Sequence, residues 1–198
     1  MQSAVSSPSG LVHSSAFFQK TLTGRIILAV AATGLVAVCA HISLPLPFTP
    51  VPLTLQTFAV ILVGMTLGPV VGFSAMVLYL AQGAVGLAVF TPHGPGGVAQ
   101  LMGPTAGFLF SYPLAAASAG WVVRALGNRR SRFIRAVVAG CVASIIIFTL
   151  GAGWLATLLH LNASATWHLA IAPFLPGEAI KVTAAVGIYS TFERWSRS

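Results

Sequence analysis

Charge is what this sequence has least of. Only 6% of its 198 residues are charged, and just two are acidic, Glu178 and Glu193. A soluble domain carries roughly 25% charged residues. This chain cannot clothe a globule in polar groups, so a sizeable soluble domain is excluded. With 57% of its residues hydrophobic, the solvent its composition suits is a lipid bilayer. Cysteine is equally scarce. Cys39 and Cys141 both lie in apolar runs, where buried thiols are expected rather than a disulfide or a metal site. No phosphate-cradling G-x-x-x-x-G-K-[ST] loop is present, so ATP hydrolysis by that route is excluded. The two carboxylates stand 15 residues apart and at different depths of a helix, which rules out a catalytic dyad. His41, His93, His160 and His168 fall at the ends of apolar runs without compact ligand spacing. An enzyme, a resident cofactor and a metal site are therefore not expected.

The net charge of +8 is no nucleic-acid signature. Five of the ten basic residues lie between Arg124 and Arg135, without the interleaved aromatic platforms that single strands stack on. Such clustering reads as cytoplasmic membrane flanks. The Ser-rich residues 1–24 lack the ordered basic, apolar and cleavage regions of a signal peptide. They are expected to form a flexible tail, with residues 25–194 a single membrane domain and residues 195–198 a short C-terminal tail.

Spanning helices need about 20 apolar residues. Six candidates occur, at residues 26–44, 53–67, 70–90, 104–123, 133–159 and 169–192. The first is stopped by "PLPFTPVP", because proline lacks an amide donor and disfavours helix before it. The second is short, about 22 Å at 1.5 Å per residue. The Gly- and Pro-rich stretch "TPHGPGGVAQLMGPTAG" predicts a loop, with room for a re-entrant tip. The sixth is interrupted near its start by Pro173 and Pro176. The expected fold is all-α, a six-helix transmembrane bundle with both termini cytoplasmic. In that orientation Lys20, Arg25, Arg194, Arg197 and the whole 124–135 cluster lie inside, and the three outer loops hold no Lys or Arg, as the positive-inside bias requires.

"FLPGEAIKVTAAVG" places Glu178 and Lys181 one helical turn apart in the outer half of the sixth span. Each charged residue at a helix centre costs roughly 2.5–3.5 kcal/mol on insertion scales, and residues at i and i+3 share a face. Two readings of the pair stand open: an ion pair that fixes helix packing, with Lys181 reaching toward the headgroups, or a polar solute site open to the outside. Pro176 fits a first helical turn, which would put Glu178 at a helix N-terminus, a favourable place for a carboxylate.

In order along the chain, "LPLPFTPVPLTLQTFAVILVG", "GPVVGFSAMVLYLAQGAVGLAVF", "LMGPTAGFLFSYPLAA" and "FLPGEAIKVTAAVG" resemble the biotin-specific substrate-binding (S) component of energy-coupling-factor (ECF) transporters, the BioY family, over residues 26–189. The resemblance implies a multi-pass protein of a bacterial or archaeal cell membrane that captures biotin from outside and delivers it inward. It implies as partners a transmembrane coupling (T) subunit and two ATP-binding cassette ATPases, ATP being used only by them. It also implies that Glu178 and Lys181 belong to the biotin site, with Glu where Asp is commoner in the family, and that Gln82 takes a ligand contact. The family's arginine in the 91–103 loop is missing here, which leaves His93 and Gln100 as candidates for its role. Biotin suits such a site: its ureido ring has two N–H donors and a carbonyl, its thiophane and chain are apolar, and it ends in a carboxylate. Phe48, Tyr79 and Phe90, together with Phe108, are candidate apolar walls. Gln56 and Thr57 either contact the ligand or cap the short second helix. Ala29, Thr33 and Ala37 form a small-residue row on the first span, in such S components a docking face for the T subunit. On the residues alone it also suits internal packing. An S component for another small vitamin, or a structural membrane protein, are the alternatives.

Overall fold

The computed structural model describes residues 21–127 and 130–195. Lys20, Arg129, Arg197 and most of both expected tails lie outside the described residues. The path is helical: α1 Leu22–His41, α2 Gln56–Leu67, α3 Pro69–Ala84, α4 Gly97–Gln100, α5 Ala106–Leu126, α6 Arg132–Leu158, α7 Ala163–Thr166 and α8 Leu175–Trp195. Among the described residues, four helical segments are long and apolar enough to cross a membrane: Leu22–His41, Ala106–Leu126, Arg132–Leu158 and the composite Ala163–Trp195. The shorter Gln56–Leu67 and Pro69–Ala84 are also apolar. Helix α1 starts inside the stretch read as a tail, because the Thr21 hydroxyl accepts the Gly24 amide at 3.1 Å and caps it.

Three details depart from the all-helical expectation. A two-residue antiparallel pair, β1 Ser43–Leu44 with β2 Leu53–Thr54, closes the first loop. The third helix stops at Ala84, six residues short of the expected end. The sixth segment begins as α7, widens into a π turn over Trp167–Ile171, tightens to a 3₁₀ turn over Ala172–Phe174 and continues as α8. Pro173 explains the change. An α-helix would give the Leu169 carbonyl the amide of residue 173, and proline has none. The Thr49 hydroxyl, from the first loop, donates to that carbonyl instead, at 2.8 Å.

Glycine lets the helices approach closely. A Cβ on Gly64 would strike the Ala116 backbone, and one on Gly120 would come within 2.6 Å of Gly64 O, Gly68 C and Pro69 N. Helix α5 thus crosses the α2–α3 corner backbone to backbone, as small residues allow in membrane bundles. Gly68 turns that corner at φ 84°, a left-handed conformation suited to glycine. Gly107 seats Trp154, and Gly151 seats Phe108, locking α5 to α6.

The Ala29–Thr33–Ala37 row faces inward. Ala29 and Thr33 are buried against the rest of the chain and Ala37 is partly so, so the expectation that this row is an open docking face is corrected. The i, i+4 spacing groups residues on one face without saying which way the face turns. Cys39 is buried, but Cys141 is exposed on the bundle's outer surface.

Gly120→Ala should destabilise the folded chain by about 1–3 kcal/mol, the usual effect of overpacking. Gly153→Ala, with nothing within 4 Å of the added Cβ, should be neutral or slightly stabilising. Thermal unfolding in detergent measures both; equal midpoints would contradict this account of the packing.

Candidate binding site

One end of the bundle gathers the loops 42–55 and 85–105. Their polar side chains bond to one another and to the helices. Thr54 Oγ1 donates to Gln56 Oε1 (3.1 Å), Gln56 Nε2 donates to the Tyr79 hydroxyl (2.7 Å), and Tyr79 donates to the Val89 carbonyl (2.8 Å). This chain fixes the end of α3 and aims the next residue, Phe90. The Phe90 ring lies over Gly83, where a Cβ would collide with it, and meets Tyr79 edge-on at 5.4 Å. Further on, Gln100 Nε2 donates to Thr105 Oγ1 (3.0 Å), and its Oε1 accepts from the Gly96 amide (3.3 Å). Trp154 Nε1 ties the loop to α6 through the Gly103 carbonyl (2.9 Å).

Beneath these loops lies a half-open cleft with about 560 Å³ of space between atoms, its mouth included. Phe90, Phe108, Leu109, Tyr112, Ile147 and Phe174 give it apolar walls. Gln56, Thr91, Gln100 and Thr105 bring polar groups toward its loop side. Its floor holds the charged pair. Glu178 and Lys181 are only 5% and 8% exposed, and they sit in the first two turns of α8.

The carboxylate is held from three sides. Ser144 Oγ donates to Oε1 at 2.8 Å, Thr57 Oγ1 donates to Oε2 at 2.7 Å, and Lys181 Nζ stands 3.5 Å from Oε2. Thr57 also accepts from Lys181 Nζ at 3.2 Å. The hydroxyl therefore bridges carboxylate and ammonium, and the direct ion pair is the longest contact of the group. Hydrogen bonds to charged groups are worth about 1.5–3 kcal/mol each, enough for Ser144 and Thr57 to offset much of the cost of holding the pair at depth. An ammonium has three donors. Lys181 engages two of them with described residues, and its side chain lines the cleft.

Of the residues singled out in the sequence, Gln56, Thr57, Phe90, Gln100, Glu178 and Lys181 line the cleft. Tyr79 stands one layer behind, orienting Gln56. Three do not reach it. Phe48 is at the tip of the first loop's turn and 55% exposed; His93 is likewise exposed on a turn. Gln82 is not among the residues that line it, and its Oε1 is buried without a hydrogen-bond partner. Sequence reading missed Ser144, a hydroxyl inside the apolar run "CVASIIIF", and Tyr112.

The family model described as "BioY family" matches residues 9–198. The "Probable biotin transporter BioY" of Pyrococcus horikoshii is 34% identical over 82% of this chain and 91% of its own length. The "Biotin transporter BioY" of Thermotoga maritima is 35% identical over 81% and 90%, and that of Rhodobacter capsulatus 34% over 90% and 94%. Among solved structures, the crystal structure of the S-component for biotin from an ECF-type ABC transporter superposes with a TM-score of 0.78, at 23% identity, covering 86% of this chain and 90% of that one.

Tyr79→Phe should cost roughly 1–3 kcal/mol of stability, since it strips a partner from both Gln56 and the Val89 carbonyl. Comparing thermal midpoints of the two proteins tests the relay; an unchanged midpoint would show that the relay bears no load.

Proposed function

The chain belongs to the BioY family, and on that premise we propose that it is the membrane-embedded, substrate-binding component of a biotin uptake system. It is a multi-pass membrane protein and a member of a family of transporters, not enzymes. It takes biotin from outside a bacterial or archaeal cell and delivers it inward. In the proposed topology the six apolar helical segments all span, both termini are cytoplasmic, the cleft opens outward and the arginine-rich end faces the cytoplasm. The basic residues support this: none lies in the loops that cover the cleft. Energy for uptake comes from partners, an ECF-type coupling subunit and two ATP-binding cassette ATPases, because this chain carries no phosphate-binding loop of its own.

The observation that carries the reading is the floor of the cleft. Glu178 accepts from a ureido N–H. Lys181, the one cation among the cleft-lining residues, donates to an oxygen of the ligand. The aromatic walls take the thiophane and the aliphatic chain. Uncharged donors at the loop side, Gln100 and Thr105, replace the cation absent from the 91–103 loop. Thr57 matters to the exchange, since its hydroxyl already makes one bond to the carboxylate and one to the ammonium. A ureido edge offers the same donor and acceptor side by side, so it substitutes for that hydroxyl without leaving either charge bare.

Titration calorimetry on the purified full chain tests this. Biotin should saturate with measurable heat, and desthiobiotin, which keeps the ureido group, should also bind. Lys181→Ala and Glu178→Gln should fold and bind biotin about 10- to 100-fold more weakly, the range expected for losing a hydrogen bond to a charged group. Phe48→Ala and His93→Ala should bind as the parent does. No saturation with biotin, or undiminished binding by Lys181→Ala, would refute the proposal.

A further inference from the structure

At the end of the bundle opposite the cleft, the start of α6 and the end of α8 flank a second groove. Ser131, Arg132, Ser190, Thr191 and Arg194 line it, with Phe133 at its edge, and it measures about 980 Å³ with its open side included. Its charge is unbalanced. The nearby acid, Glu193, is engaged by Arg135, whose guanidinium lies 2.7 Å from both carboxylate oxygens. Arg132 and Arg194 form no ion pair among the described residues. The groove therefore presents two cations that no acid among the described residues neutralises.

Its remaining polar groups include a spare donor. Ser190 Oγ is buried and has no hydrogen-bond partner, although the neighbouring Thr191 turns its own hydroxyl back onto the Gly187 carbonyl at 2.9 Å. Ser131 caps α6 by accepting the Ile134 amide at 3.3 Å, which leaves the Arg132 and Phe133 amides of this 27-residue helix without an intrahelical partner beside the groove. An aromatic rim is set by Phe133 at the groove's edge, with Phe192 and Trp195 following Thr191 and Arg194 along α8; each is at least half exposed, as side chains at a membrane interface are. Two arginines, a spare hydroxyl and open amides suit an oxyanion. The aromatic rim and the apolar flanks of α6 and α8 suit acyl chains.

We propose that this groove is a headgroup site for an anionic phospholipid, whose phosphate lies between Arg132 and Arg194 and whose tails descend along α6 and α8. The orientation argued above enters only in naming the cytoplasmic leaflet as the lipid's source. A headgroup held at this end would anchor α6 and α8, the two helices that carry Ser144, Glu178 and Lys181 at the other end.

Native mass spectrometry of the full chain released from mixed phosphatidylglycerol and phosphatidylcholine micelles tests the proposal. The parent should retain phosphatidylglycerol preferentially, and millimolar inorganic phosphate should not displace it, since a free ion lacks the tails. Each arginine near a membrane surface contributes about 1 kcal/mol toward anionic lipid. Arg132→Gln with Arg194→Gln should therefore cut the preference roughly 25-fold, Ser190→Ala should cut it less, and the double lysine variant should keep most of it. Equal retention of the two lipids by the parent would overturn the proposal. So would a preference untouched by the glutamine pair, which would leave the arginines to a protein partner. Biotin titration of the same preparations separates the two claims: a chain that selects phosphatidylglycerol but ignores biotin loses the transport reading and keeps the lipid site.

Discussion

A carboxylate and an ammonium one helical turn apart, deep in a chain with almost no other acid, set the constraint that the rest of the structure answers. Neither charge is tolerable at depth alone, and at 3.5 Å their direct contact is the longest of the group. The remedy comes from other helices. Thr57 on α2 and Ser144 on α6 supply the short bonds, so three helices must arrive at one point in fixed register. The close glycine packing of α2, α3 and α5, and of α5 against α6, holds that register. It also accounts for why so apolar a bundle keeps one face of its core polar: a pair satisfied mostly by hydroxyls, with a donor of Lys181 left over, fits the solute site proposed above.

The loops serve the same end. The π and 3₁₀ turns before α8 arise because Pro173 cannot continue the amide ladder, and the carbonyl thus released is the one Thr49 takes. A local fault in a helix becomes the fastening of the first loop over the cleft. The relay from Thr54 through Gln56 and Tyr79 does likewise for the stretch after α3, placing Phe90 as a wall. The cover is thus built from few bonds, each between a loop and a helix end. Such sparse fastening suits a lid that has to release a solute.

How much of this was legible in the sequence depended on the kind of signal. Glu178 and Lys181 stood out because charge in an apolar run is expensive, and Gln56, Thr57 and Gln100 because polar residues bordered the spans. Ser144 was silent: a serine within a membrane helix usually bonds back to its own backbone and carries no charge to betray it. Phe48, His93 and Gln82 lie off the cleft. Loop position and the family resemblance singled them out, but a turn tip points the first two to solvent, and the third is not among the lining residues. The inward face of Ala29, Thr33 and Ala37 shows the same limit, since spacing defines a stripe and tertiary packing decides what it meets. The six apolar segments were readable from length and proline placement, whereas the helix types within the last of them needed the carbonyl-by-carbonyl account.

The claim at the centre is that Glu178 and Lys181 are kept together in the membrane so that a solute can complete their hydrogen bonding. A structure of the full chain determined with biotin tests this most directly, because the ligand's sulfur marks its position. The account predicts ligand density in the cleft with ureido nitrogen within hydrogen-bond distance of Glu178 and a ligand oxygen within that distance of Lys181. Density lying elsewhere, with the pair still joined through Thr57 as it is here, would contradict it.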